Sequence, residues 1–259
     1  MLTLSVASLY AVMNQYFWPM LRVLALFTTA PIFNEQGIGK KAKIGLAIVI
    51  SLLIGQHQPN THIEIFSFAG LWVAAQQFII GAAIGLTVQF IFVAVRNAGE
   101  IIGLQMGLSF ATFFDPAAGG NMPVISRILN LLVTLLFLTF NGHLWMLNTL
   151  ADSFILLPVS ATPINADGLL AITYTAGMVF KCGLMLGLPI ITLLLTLNLT
   201  LGLLNRLTPQ LSIFVVGFPL TLSIGMIAMS MIMYTLAPFF ENMMEDIFEQ
   251  LTKIILLLT

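Results

Sequence analysis

GLQMGLSFATFFDPAAGGNMP, residues Gly103–Pro123, starts apolar and aromatic like a membrane helix and then breaks down into Asp-Pro, Gly-Gly and Asn-Met-Pro. Those dipeptides interrupt helices. The uncharged run before them is too short to cross a bilayer, which takes about 20 apolar residues. Lipid cannot satisfy the N–H and C=O groups of irregular backbone, so such a segment at membrane depth must be buried in protein or line a cavity. The stretch therefore reads as a gate or plug set among membrane helices.

Its flanks supply those helices. Uncharged runs occupy Met1–Leu21, Ile44–Ile63, Ile65–Val95, Ile128–Ala151, Cys182–Asn205 and Leu207–Phe240. They predict an all-α integral membrane protein of about six long hydrophobic helices with a central re-entrant segment. Polar Gln56–Thr61 ends the second run early, and Pro209, Gly217, Pro219, Gly225 and Pro238 predict bends in the last. Composition agrees: 59% of residues are hydrophobic and 7% charged, against roughly 25% charged in soluble domains. A soluble fold is excluded. Nine basic and ten acidic residues nearly cancel, which leaves no field to attract nucleic acid.

The basic residues predict an orientation. Lys40, Lys41, Lys43, Arg96, Arg127 and Arg206 sit at junctions that can all be cytoplasmic, whereas Gln56–Glu64 and Pro158–Gly168 hold no lysine or arginine. The N-terminus is then outside, and Asn97–Ser126 re-enters from the cytoplasmic side. The acidic tail, with Glu241, Glu245, Asp246 and Glu249, also lies outside. The first span has neither a basic n-region nor a small-residue cleavage site and is expected to be kept.

Site chemistry is sparse. His57, His62 and His143 do not fall at ligand spacing with a second strong ligand, and no phosphate-binding glycine loop is present. The expectation is no catalytic residue, no metal and no cofactor. Cys182, alone of its kind, reads as a small core residue. Arg22 and Lys181 either snorkel to an interface or meet carboxylates, and Arg96 and Glu100 are spaced to pair on one helical face. A proton relay would call for several acidic groups within the spans, and Asp152 alone lies near one, which weighs against an ion-coupled transporter. Glycines are more telling. Gly99, Gly103 and Gly107, continued by Ala111, form a stripe that lets another helix approach closely, and Gly81 with Gly85 forms a second such pair.

Three strings carry a resemblance: YFWPMLRVLALFTTAPIF at Tyr16–Phe33, AGEIIGLQMGLSFATFFDP at Ala98–Pro116 and LLNRLTPQLSIFVVGFPLTL at Leu203–Leu222. LTFNGHLWML and LMLGLPIITLLLTLNLTLG support them. Over essentially its whole length the chain resembles the FliR family of flagellar type III export-gate membrane proteins. The resemblance implies a hetero-oligomer with FliP-like and FliQ-like proteins and other flagellar export membrane proteins, through which unfolded protein substrates pass. It implies a place in the bacterial inner membrane at the flagellar basal body, with the assembled gate raised toward the periplasm. It also implies a FliP-like region over 1–168 and a FliQ-like hairpin with acidic tail over 169–259.

The family's plug maps onto Met106–Met122. There Met106, Phe110, Phe113 and Phe114 are the expected closure-forming side chains, since methionine and aromatic rings fill irregular space. Gly107, Gly119 and Gly120 would permit close approach, Asp115 and Pro116 would shape a turn, and Met122 closes the segment. A static core cluster is the alternative for the aromatics. Competing functions are a virulence-injectisome export gate and, in a different class, a small-solute transporter.

Overall fold

The computed structural model describes residues 6–34, 37–56, 58, 63–108, 123–208 and 213–259. Within them run seven helices: α1 (Val6–Thr29), α2 (Lys40–Gly55), α3 (Phe68–Gln105), α4 (Val124–Thr139), α5 (Gly142–Leu156), α6 (Ala166–Leu207) and α7 (Ile213–Leu257). The described residues contain no strand. Three helices are long and apolar enough to cross a membrane: α3, α6 and the Val216–Leu257 part of α7. A fourth span arises if the bent pair α4–α5 counts as one. The all-α membrane architecture is thus present, with the helices divided differently from the apolar runs.

Local chemistry explains the differences. The second run yields a helix of 16 residues, about 24 Å long and short of a hydrocarbon core of roughly 30 Å. The fourth run is broken in two. Asn141 adopts φ 56°, a left-handed conformation that asparagine tolerates better than most residues. Gly142 then starts α5, whose first turn closes when the N–H groups of Leu144 and Trp145 donate to the Asn141 carbonyl.

The chain divides into two compact units, each assembled from separated segments. The first draws on α1, α2, α3 through Phe90, α5, α6 through Ala176 and the end of α7 from Asp246. Here Gly81 and Gly85 lie against α1. A Cβ on Gly81 would collide with the Arg22 carbonyl, and one on Gly85 with the Thr29 hydroxyl. Gly55 of α2 abuts the Tyr16 ring, and Gln15 Nε2 donates to its carbonyl at 2.9 Å.

Arg22 lies at the centre of this unit, fully buried. Its Nε donates to Gln77 Oε1 (2.8 Å), Nη1 to the carbonyl and hydroxyl of Ser153 (2.9 and 3.0 Å), and Nη2 to the Leu157 carbonyl (2.9 Å). The guanidinium carbon stands 3.9 Å from the centre of the Phe154 ring. Snorkelling and carboxylate pairing, the two expectations for Arg22, are both replaced by this arrangement. The cation sits at the C-terminal end of α5, where unpaired carbonyls and the helix dipole favour positive charge.

The second unit comprises the rest of α3, α4, α6 from Gly177 and α7 through Glu245. Gly183 packs on the Ala94 carbonyl and Gly187 beside Ala98, so α6 lies close along α3. Phe92 and Phe137 meet edge to face at 5.4 Å. Two expectations fail here. Arg96 and Glu100 form no ion pair, the pair among the described residues being Lys253–Glu249 at 2.6 Å. Cys182 is half-buried and not part of the core.

Candidate functional site: the seat of Met106

The C-terminal end of α3 is built to stop. Gly107 has φ +80°, a left-handed conformation that costs glycine nothing and other residues roughly 1–2 kcal/mol. The Gly107 N–H donates to the Leu104 carbonyl and the Leu108 N–H to the Gly103 carbonyl, both at 3.0 Å. This pair of bonds around a left-handed glycine is the Schellman termination, which satisfies the last carbonyls of a helix. Gly107 therefore ends the helix and does not extend the stripe of Gly99 and Gly103.

The residue before it, Met106, has a seat of its own. Its side chain is fully buried. It fills the recess left by Gly225 of α7: a Cβ there would lie 2.7 Å from Met106 Cγ and Cε and 2.9 Å from Sδ. Thr221, one turn earlier on α7, directs its hydroxyl at the Met106 carbonyl over 3.4 Å and donates to the Phe218 carbonyl at 3.0 Å. The Phe218 ring lies 3.1 Å from where a Cβ of Gly107 would stand. Residues 218, 221 and 225 share a face of a helix, so one face of α7 receives the end of α3.

The chain returns to the same place. Pro123, just ahead of α4, lies against Gly103, with 2.9 Å between its Cβ and a Cβ on that glycine. One turn earlier a Cβ on Gly99 would stand 2.6 Å from Ser126 Cα, and the Ser126 hydroxyl donates to the Arg96 carbonyl at 3.0 Å. The exit at Leu108 and the re-entry at Pro123 are thus both held at the C-terminal end of α3. Phe110, Phe113, Phe114, Asp115, Pro116, Gly119, Gly120 and Met122 lie between them, outside the described residues.

At the last residue of α3, Asn198 Nδ2 donates to the carbonyl and Oε1 of Gln105 at 3.2 and 3.3 Å. Among the described residues no group of three or more His, Cys, Asp and Glu could hold a metal. His143 is half-buried, with Nδ1 lacking a partner. Phe218 and Thr221 were not singled out by sequence, although FPLTLSIG at 218–225 places both on one face with Gly225.

The model of the family described as "Bacterial export proteins, family 1" matches residues 13–247. The chain belongs to that family. It is 56% identical to a protein of Escherichia coli (strain K12) named flagellar biosynthetic protein FliR, over 94% of this chain and 93% of that one. A protein of the same name from Pectobacterium carotovorum subsp. carotovorum is 54% identical over 93% of each chain. Another from Aquifex aeolicus is 30% identical over 88% of each. The bacterial export family match spans the seat, the break at Asn141 and the buried Arg22.

Proposed function

We propose that this chain is a non-enzymatic subunit of the flagellar type III protein export gate, in which residues 106–122 seal the passage taken by unfolded protein substrates. FliP-like and FliQ-like proteins would be its partners in a hetero-oligomer in the bacterial inner membrane. In that assembly 1–168 would act as a FliP-like region and 169–259 as a FliQ-like hairpin. One observation carries the reading. A membrane-length helix is stopped by a built-in termination, its final side chain is buried against another helix, and the chain re-enters alongside it. That leaves an apolar, aromatic segment tethered at both ends, a form suited to closing a path.

The physical argument is volume. Aromatic side chains filling a constriction keep it dry, and removing them opens a cavity that water can join into a conducting path. Deleting part of 110–120 in the assembled complex is expected to raise the leak of ions or small solutes through the closed gate. Replacing Phe110 and Phe113 together by alanine is expected to raise it less. Normal complex yield is the control. Variants that assemble fully and leave membrane permeability unchanged would remove the sealing role.

A further inference from the structure

The two faces of α2 differ in a way the gate reading does not use. Ala47, Ser51 and Gly55, spaced four apart, are buried, and Gly55 meets α1 through Tyr16 and Gln15. Ile44, Ile48, Val49 and Leu52 are exposed, at 45, 42, 54 and 42%. Helix–helix interfaces in membranes favour small residues, because these let backbones approach. The protein-facing side of α2 has that character, whereas the outward side carries large branched aliphatics suited to acyl chains.

The charged end completes the pattern. Lys40 and Lys41 are exposed and Lys43 is half-buried, and none forms an ion pair among the described residues. The first turn holds no acidic residue, and lysines at a helix N-terminus oppose its dipole, so they do not serve the stability of α2. Residues 35–43, EQGIGKKAK, carry three lysines against one glutamate, an excess of positive charge whatever Glu35 does. Length agrees as well. From Ile44 to Gly55 the helix rises about 16 Å, close to one leaflet of a hydrocarbon core of roughly 30 Å.

We propose that the outward face of α2 is a boundary site for an anionic phospholipid. Its acyl chain lies along Ile44, Ile48 and Leu52, and its headgroup phosphate is held by Lys40, Lys41 and Lys43. The site requires that the outward face of α2 meet lipid in the assembled complex, whether or not residues 106–122 seal a passage, so it stands or falls separately from the sealing role.

The test uses the assembled membrane complex in nanodiscs of equal parts phosphatidylcholine and phosphatidylglycerol, with lipid retained after gentle extraction measured by mass spectrometry. Phosphatidylglycerol is expected to be enriched over phosphatidylcholine by roughly fivefold or more, the effect of at least one lysine near an anionic surface. Enrichment is expected to fall to the bulk ratio in Lys40→Gln/Lys41→Gln/Lys43→Gln and to persist in the matching arginine variant. A second measurement does not depend on the lysine variants folding. A fluorophore on Ile48→Cys, in a Cys182→Ser background, is expected to be quenched by brominated lipid. No enrichment in the unaltered complex, enrichment that survives the glutamines, or an unquenched Ile48 position covered by a partner protein would each overturn the proposal.

Discussion

Arg22 shows how one buried cation can organise several helices without a counter-charge. Its fork meets acceptors from α3 and from the end of α5 in two directions, with an aromatic face beside it. A buried acceptor left unsatisfied costs about 1–3 kcal/mol. Arg22→Met would strand Gln77 Oε1 and take the donor from the Leu157 carbonyl, whereas the Ser153 carbonyl keeps the Leu157 N–H. Arg22→Lys keeps the charge but replaces a planar, multidentate donor by a point cation that cannot reach acceptors on opposite sides. Both variants are expected to lower the amount of protein in membranes several-fold. Arg22→Met with Gln77→Leu is expected to recover part of the loss, because it removes an orphaned acceptor. Immunoblotting of membranes against an untouched complex component checks this, and a lysine variant at full level would contradict it.

At the scale of the element, the interest lies in how α3 stops. Gly107→Ala forces a Cβ into a left-handed conformation, at roughly 1–2 kcal/mol, and sets it 3.1 Å from the Phe218 ring. Gly225→Val places branched carbon where Met106 already sits, so the methionine must leave its seat. Either change loosens one anchor of the segment that follows, by different routes. If residues 106–122 seal a passage as proposed, both variants are expected to raise solute leak through the assembled complex, Gly225→Val more than Gly107→Ala because it displaces the side chain outright. Gly202→Ala is the matched control: a Cβ there meets no other atom within 4 Å and is expected to be silent. Leak at the unaltered level in Gly225→Val, with normal assembly, would mean that the seat of Met106 does not govern closure.

For the whole molecule, orientation is the testable property. With the apolar run Ile44–Ile63 crossing during insertion, although α2 within it is only 16 residues long, the basic junctions predict that Lys41 and Asn165 insert on opposite sides. Cysteines introduced next to each, in a Cys182-free background, are expected to react with impermeant reagents added from opposite sides of newly inserted, unassembled protein. Same-side labelling would reverse the assignment. Unassembled protein is the proper sample, because α6 and the Val216–Leu257 part of α7 are only 33% and 22% buried over their most apolar windows. Whatever covers those faces after assembly, lipid or protein, can block a reagent.

Membrane class, the long apolar helices and membership of the export family were legible in the residues alone. They depend on local signals: hydropathy sums over a window, and proline and glycine act where they stand. The left-handed turn at Asn141 was half-legible, since the Asn-Gly pair is visible in LTFNGHLWML although the apolar run continues across it. What only the tertiary structure decided lies far apart along the chain. Arg22 finds acceptors 55, 131 and 135 residues away, and no spacing rule on α1 points to them. Met106 is received by Thr221, 115 residues on, and by the recess at Gly225. A stripe of glycines says that something approaches closely but not what. Gly103 meets a proline after the chain turns back and Gly107 ends its helix, because helix packing and backbone hydrogen bonding override the period of the sequence.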